Sequence, residues 1–136
     1  MSPETNRAQD EAMDLLRRFG KAFNRADVEG ILACVTEDFV WVEASGPSAP
    51  DGRIRRGAEE VRDALAERAE VVRDVRFSET DVHFALDSDP GRIIGTFRAT
   101  GINIADDSAY DVRGVDIYTV RDGLIASKDS YWKRID

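Results

Sequence analysis

The chain has 136 residues, a formal net charge of −8 and 34% charged residues. A chain of this length is expected to form one domain with its own hydrophobic core, over residues 1–136. Nucleic acids and anionic membrane surfaces repel an acidic protein, so neither is an expected partner. The sequence has no run of about 20 apolar residues, the length that a membrane-spanning helix needs.

Cysteine and histidine are too scarce to suggest a metal site. Cys34 is the only cysteine and His83 the only histidine, so an intrachain disulfide is excluded and a zinc site lacks ligands. No metal or cofactor is expected. The first seven residues are polar and contain no apolar segment typical of a secretion signal, so we expect a cytoplasmic protein.

Three helices are predicted in the first half of the chain. Apolar residues recur at helical spacing over residues 6–24, with charged residues on the other side. Asp27 is suited to cap a second helix over residues 28–35, which would include Cys34 as a small core residue. A third helix is predicted over residues 58–70.

One strand, over residues 39–44, lies between the second and third helices. Side chains alternate between the faces of a strand, so Glu43 shares its face with two large aromatic residues, Phe39 and Trp41. A loop rich in Gly, Pro and Ser follows over residues 45–52. The basic cluster after the loop is interpreted as a solvated rim rather than an anion site: Arg53, Arg55 and Arg56.

The second half of the chain predicts four strands joined by short turns. The first two cover residues 75–86 and 92–104. Alternation in the first of them places one set of side chains together (Ser78, Thr80, Val82, Phe84 and Leu86) and a second set on the opposite face (Phe77, Glu79, Asp81, His83 and Ala85). The last two form a hairpin over residues 110–132, because Asp122-Gly123 separates two alternating runs.

The faces of this hairpin carry isolated polar groups among apolar ones. Asp116 is the one carboxyl on its face of the first strand, which groups Tyr110, Val112, Gly114, Asp116, Tyr118 and Val120. The corresponding face of the second strand groups Leu124, Ala126, Lys128, Ser130 and Trp132. These faces could form the floor of a pocket with a few polar groups.

The order helix, helix, strand, helix and four strands predicts an α+β fold. Strands joined by short turns pair antiparallel, and helices from the first half of the chain can cover one face of the sheet. We therefore expect three helices packed on a strongly curved, mainly antiparallel β-sheet.

Four segments give the sequence a resemblance to a known superfamily: residues 22–32 (AFNRADVEGIL), 42–47 (VEASGP), 56–61 (RGAEEV) and 114–125 (GVDIYTVRDGLI). They resemble the NTF2-like superfamily, which includes ketosteroid isomerases and SnoaL-like cyclases. The resemblance implies a cone-shaped fold, a pocket for a small apolar molecule, and a homodimer formed through the exposed face of the sheet.

The resemblance also implies roles for individual residues. Glu43 falls where ketosteroid isomerases have the carboxylate that moves the proton, and Asp116 falls where they have the protonated acid of the oxyanion hole. Phe19 replaces the tyrosine of that oxyanion hole, and Tyr118 is the best substitute donor. Ser130 stands where limonene epoxide hydrolases have an aspartate, which disfavours epoxide hydrolysis.

Two functions remain open. The first is a cofactor-free isomerase, cyclase or dehydratase acting on an apolar carbonyl compound, with Glu43 as base and Asp116 as donor to the oxyanion. The second is a non-catalytic ligand-binding or scaffold module, in which Asp116 forms a structural ion pair with Lys128. In either case the expected ligand-contacting residues are Phe19, Trp41, Tyr118, Lys128, Ser130 and Trp132.

Overall fold

The computed structural model describes residues 3–135, which form three helices and six strands. The helices are α1 (Pro3–Asn24), α2 (Val28–Leu32) and α3 (Gly57–Val71). The strands are β1 (Val35–Val42), β2 (Ile54–Arg56), β3 (Val72–Ala85), β4 (Gly91–Asn103), β5 (Ala109–Arg121) and β6 (Leu124–Trp132). None of the helices in this range combines the length and apolarity needed to cross a membrane.

The six strands form one open sheet in the order β2-β1-β6-β5-β4-β3. Only the pairing of β1 with β6 is parallel among these strands, and the other pairings are antiparallel. The predicted α+β fold, with three helices on a mainly antiparallel sheet, is confirmed. The short strand β2 is an addition, since the sequence pattern indicated only a rim there.

The helices meet the sheet through one hydrophobic core. The apolar stripe of α1 is buried as predicted and contributes Ala12, Leu15, Phe19, Ala22 and Phe23. α3 contributes Val61, Ala64 and Leu65, and the sheet contributes residues that include Phe39, Trp41, Ile93, Tyr118 and Ile125. Burial of such side chains is the main stabilising contribution in a domain of this size.

The predicted hairpin is confirmed, and its turn determines where the site residues lie. Asp122 and Gly123 have φ values of 54° and 74°, in the left-handed region that Gly adopts freely and Asp tolerates. This two-residue turn joins β5 to β6. The residues of the two strands are thereby placed in a defined register.

β-Bulges overturn two of the predicted face assignments. Glu79 has a φ of 52° and lies where the β3–β4 register shifts. The extra residue reverses the alternation, so Phe77 lines the same cavity as Thr80 and Val82 and not the opposite face. A second register shift, between β5 and β6, leaves Ala126 unpaired and reverses the alternation there. Ile125 is therefore fully buried, although the predicted inner face contained Leu124 and Ala126.

The second helix is shorter than predicted, although its cap is confirmed. The Asp27 side chain accepts a hydrogen bond from the Gly30 backbone N–H at 3.1 Å. α2 then ends at Leu32, because the backbone from Cys34 onward pairs with β6: the Cys34 carbonyl accepts from the Ile125 N–H at 2.9 Å. Cys34 is a buried core residue, as expected, but lies outside the helix.

A matched pair of glycine substitutions tests the packing of the sheet. A Cβ at Gly114 would lie 2.7 Å from Phe97 and 2.9 Å from Trp132, whereas a Cβ at Gly95 would meet only Tyr118 at 3.9 Å. We expect Gly114→Ala to lower the free energy of unfolding by about 1–3 kcal/mol through overpacking. Gly95→Ala should leave it unchanged or slightly higher. Urea unfolding measures both, and equal effects would contradict this packing.

Candidate active site

A cavity of about 790 Å³ lies between the inner face of the sheet and helices α1 and α3. The loop between β1 and β2 borders it. Its wall includes every residue that the sequence singled out for a site: Phe19, Trp41, Glu43, Asp116, Tyr118, Lys128, Ser130 and Trp132. The structure therefore brings these residues to one cavity, and Glu43 and Asp116 lie on the same side of the sheet.

Four polar side chains form a hydrogen-bonded cluster on the wall of this cavity. Asp116 Oδ1 accepts a hydrogen bond from Ser130 Oγ at 2.7 Å, and Asp116 Oδ2 accepts from Tyr118 Oη at 3.2 Å. Lys128 Nζ donates to Ser130 Oγ at 3.2 Å and lies 3.8 Å from Asp116 Oδ1. We call these four residues the Asp116 cluster. It links an amine to a carboxyl group through one hydroxyl.

The cluster follows directly from the register of the β5–β6 hairpin. Asp116 pairs with Ser130, and Tyr118 pairs with Lys128, in neighbouring positions of the same ladder. Directly opposed residues of an antiparallel pair lie on the same face with their Cβ atoms about 5 Å apart. A shift of one strand by one residue would send its two side chains to the other face and separate them from the other two. The Asp-Gly turn thus determines the position of the cluster.

Lys128 is held in a largely apolar environment. Its side chain is 9% exposed, and Nζ lies 4.5 Å from the centre of the Phe23 ring and 4.9 Å from that of Trp41. Burial lowers the pKa of this lysine, while the nearby Asp116 carboxyl acts in the opposite direction. The aromatic faces and the carboxyl compensate in part for the water that the ammonium group has lost.

Tyr118 is buried beside Asp116 and stands edge-on to Phe19, with ring centroids 5.9 Å apart. Burial raises its pKa well above the ordinary value, and the negative charge on Asp116 adds to the effect. Tyr118 is therefore a neutral hydrogen-bond donor throughout the physiological pH range. Its hydroxyl group is part of the same inner face that carries the carboxyl.

The family model described as SnoaL-like domain matches residues 16–128, which is most of the chain. The chain belongs to the SnoaL-like domain family. No curated protein matches it.

Solved structures show the same fold. An NTF2-like protein from Burkholderia xenovorans LB400 is 23% identical, with a TM-score of 0.72 over 91% of this chain and 90% of that one. A protein from Xanthomonas campestris, provisionally named a polyketide cyclase, is 22% identical with a TM-score of 0.75 over 91% of each chain. A protein from Bacillus subtilis, provisionally named an isomerase, is 20% identical with a TM-score of 0.72, over 91% of this chain and 87% of that one. These structural similarities establish the NTF2-like fold, but at such sequence identities they do not establish a reaction.

Glu43 of this SnoaL-like domain is engaged by an arginine that the sequence pattern assigned to a solvated rim. Arg55 is buried, because β2 pairs with β1 and places Arg55 opposite Trp41. Its Nε donates to Glu43 Oε2 at 2.8 Å, and its Nη2 forms an ion pair with Glu67 of α3. The rim interpretation of Arg55 is wrong, since this residue connects the cavity wall to α3.

The other end of the cavity is aromatic. Trp132 lies 6.2 Å from Phe77 and 6.0 Å from Phe97, measured between ring centroids. Tyr110 lies 6.3 Å from the same indole ring. The cavity thus combines the polar Asp116 cluster with an aromatic wall that suits a largely apolar ligand.

Some cavity residues were missed in the sequence. Phe23 and Arg68 both line the cavity, on α1 and α3 respectively. Helical spacing signalled Phe23 only as a core residue. Nothing distinguished Arg68 from the other charged residues of α3. Over residues 3–135 no group of three His, Cys, Asp or Glu side chains is placed to hold a metal ion, and His83 is exposed on the outer face.

A double-mutant cycle tests whether Asp116 and Lys128 depend on each other. Lys128→Met or Asp116→Asn alone leaves the partner charge buried, which is expected to lower the free energy of unfolding by about 3–5 kcal/mol. The double variant should lose less than the sum of the two. Urea unfolding gives the three values. Arg98→Met at the exposed Arg98–Asp111 pair is the control and should leave the free energy of unfolding nearly unchanged. Strictly additive losses at Asp116 and Lys128 would rule out their coupling.

A spectroscopic pH titration tests the environment of Tyr118. Because its pKa is raised in the folded state, the native protein keeps a proton that the unfolded chain releases near pH 10, at about the ordinary tyrosine pKa. The contribution of Tyr118 to the free energy of unfolding is therefore fully present below that pH and decreases as the pH rises further. The pKa values of Tyr110 and Tyr131 are also raised, by burial and by the Asp129 carboxylate respectively, but that of Tyr118 is raised well above the ordinary value. Phenolate absorbance should therefore show a last step that Tyr118→Phe removes and that Tyr131→Phe, at an exposed position, retains. An unchanged last step in Tyr118→Phe would contradict the assignment.

Proposed function

We propose that this protein is a cofactor-independent enzyme that forms an enolate from a small, largely apolar carbonyl compound, as an isomerase or cyclase. The observation that carries the proposal is the Asp116 cluster. It places one carboxyl group beside two hydroxyl groups and an amine, on the wall of a cavity whose other end is aromatic. Buried ionisable groups with perturbed pKa values occur preferentially at functional sites.

In this proposal Asp116 has a different role from the one that the resemblance implied. The resemblance implied a protonated acid that donates a hydrogen bond. Here its oxygens accept from Ser130 and Tyr118 and lie near the Lys128 amine. A carboxyl group with this set of partners is better suited to be the base. The donor to the developing oxyanion is then Lys128. Tyr118 becomes the second donor, in place of the tyrosine replaced by Phe19, when its single O–H turns from Asp116 to the substrate oxygen.

The proposed reaction begins with removal of a proton from the carbon next to the substrate carbonyl. The C–H electron pair passes into the enolate, and the proton moves to Asp116. The ammonium group of Lys128 stabilises the negative oxygen, and the low-polarity surroundings strengthen this interaction. In a β,γ-unsaturated substrate, return of the proton from Asp116 to the γ-carbon gives the conjugated isomer. Attack of the enolate carbon on a second carbonyl of the same molecule gives a ring, and the new alkoxide takes a proton from Lys128. The proton held by Asp116 then passes to Lys128 and restores both groups.

Glu43 has a supporting role in this proposal. Its Oε2 is held by Arg55, while the Glu43 side chain is 24% exposed and also lines the cavity. Arg55 already occupies Oε2 of this carboxylate with a charge-assisted hydrogen bond. We therefore propose that Glu43 is a positioning residue near the opening, where Arg55 connects the end of β1 to α3. The main proton transfer is assigned to Asp116.

A second function is favoured by the internal pairing of the cluster. Lys128 and Asp116 satisfy each other within the described chain, which is also the arrangement of a structural ion pair. In that case the cavity binds an apolar ligand without chemistry. The enzyme and the binding module differ in whether the cavity accelerates proton exchange at carbon.

Hydrogen–deuterium exchange at carbon tests the proposal. Apolar ketones, with 2-tetralone first, are incubated with the protein in D₂O, and loss of the α-proton signals is followed by NMR. The wild type should exchange faster than buffer, and Asp116→Asn should reduce this excess by about 100-fold or more. Glu43→Gln should have a smaller effect.

Asp111→Asn is the control for this assay, because Asp111 lies on the same strand and is exposed. It should exchange like the wild type. Exchange by the wild type at the buffer rate across the ketones would favour the binding module, and unchanged exchange by Asp116→Asn would exclude Asp116 as the base.

Two earlier expectations, a homodimer formed through the outer face of the sheet and a cytoplasmic location, stay predictions. The outer face of β4 and β5 carries Ile94, Val115 and Ile117, partly exposed, beside the Arg98–Asp111 ion pair. Such a mixed surface is compatible with a dimer interface.

A further inference from the structure

The cavity carries an excess of positive charge that the Asp116 cluster does not explain. Among the described residues, six cationic side chains and three carboxylates line it. The chain as a whole has a net charge of −8. Three of these cations, Arg17, Arg53 and Lys133, are exposed at the rim, whereas Arg55, Arg68 and Lys128 lie within the cavity. An excess of cations around a cavity attracts an anion, because walls of low dielectric concentrate the field.

Of the three cavity cations that are not exposed, Arg55, Arg68 and Lys128, only Arg68 lacks a carboxylate partner within the described chain. Arg55 is paired with Glu43 and Glu67, and Lys128 lies near Asp116. No described carboxylate lies within ion-pairing distance of Arg68. Its Nη2 donates one long hydrogen bond, 3.4 Å, to the carbonyl of Phe23. Most of its N–H donors therefore have no acceptor from residues 3–135.

The surroundings of Arg68 make its missing hydrogen bonds energetically unfavourable. Burial lowers the pKa of its guanidinium, which means that the charged form has lost hydration. The guanidinium carbon lies 4.9 Å from the centre of the Phe23 ring, and Lys128 Nζ lies 4.5 Å from the same centre. The two cations repel each other, as the effect of Arg68 on the pKa of Lys128 shows. An anion placed beside Phe23 would relieve both.

We propose that Arg68 binds a carboxylate of the ligand, so that the substrate is an apolar keto acid whose carbonyl reaches the Asp116 cluster. The guanidinium offers paired N–H donors that match the two oxygens of a carboxylate. Because Arg68 and Lys128 both contact the Phe23 ring, one small molecule can present a carboxylate to the first and a carbonyl to the second. The aromatic wall around Trp132 holds the apolar remainder of the molecule. The inference rests on the proposed function for the identity of the reacting group, but not for the anion site.

Binding of a matched probe pair tests the subsite without any turnover. 1-Naphthylacetate and 1-naphthylacetamide have nearly the same shape and differ in charge. By isothermal titration calorimetry, the wild type should bind the acetate about 10-fold or more tightly than the amide, as expected for a charge-assisted pair. Arg68→Gln should abolish this preference. Arg68→Lys should retain part of it, since lysine keeps the charge but loses the planar fork.

Arg62→Gln is the matched control, because Arg62 lies on the same helix, pairs with Glu29 and is exposed. It should keep the full preference. Equal binding of the two probes by the wild type would overturn the proposal. A preference that survives Arg68→Gln and disappears in Lys128→Met would also overturn it, because the anion would then be bound by the lysine.

These outcomes are separate from those of the exchange assay. A carboxylate preference that depends on Arg68, in a protein that exchanges no ketone protons, would support the subsite and exclude the proposed enolate chemistry. Ketone exchange that depends on Asp116, without any preference for the acetate, would support the chemistry and exclude the subsite.

Discussion

The register of the β5–β6 hairpin is the constraint on which the rest of the site depends. It places Asp116 opposite Ser130 and Tyr118 opposite Lys128, on the inner face of the sheet. An isolated ammonium or carboxylate in this position would be strongly destabilising, but as neighbours each reduces the cost of burying the other. The helices close the cavity over this face, and the contact of Lys128 with Phe23 and Trp41 connects the charge pair to the hydrophobic core.

The site combines two features that are unfavourable for stability and useful for chemistry. Replacing a buried ion pair by apolar residues of similar volume is often neutral or stabilising. The same pair in a cavity wall provides a base and an acid that need no reorganisation during reaction. Arg68 combines the same two features for binding. It is partly dehydrated and has no carboxylate partner among the described residues, so its charge is poorly compensated in the free protein. In the proposal, the carboxylate of the ligand compensates it.

Much of the fold could be predicted from the sequence, because its signals are local. The apolar stripe of α1 and the Asp-Gly turn gave the correct elements, and strict alternation over residues 110–120 gave the correct face for Asp116 and Tyr118. Alternation failed at Phe77 and Ile125, where β-bulges insert one residue and reverse the faces. Such bulges depend on how the sheet curves over the helices, and no single residue signals them.

The charged residues of the site were harder to predict. Arg55 and Arg68 lie in segments dense in arginine and glutamate, where every residue is compatible with a solvated surface. Which of them turns inward depends on the pairing of β2 with β1 and on the placement of α3 over the sheet. These are tertiary relationships. The role of Asp116 is likewise a question of its neighbours in space, since its hydrogen-bond partners come from Tyr118 and from the other strand of the hairpin.

The central claim is that the Asp116 cluster stabilises an oxyanion next to a proton acceptor. The most direct measurement is the ionisation of bound 2-naphthol, an enolate analogue, followed by its absorbance as the pH is changed. The account predicts that bound 2-naphthol ionises at a lower pH than the free compound, and that Lys128→Met cancels the difference. Ionisation at the same pH as in water, or at a higher one, would contradict it, because the cavity would then bind the ring and give the oxyanion no stabilisation.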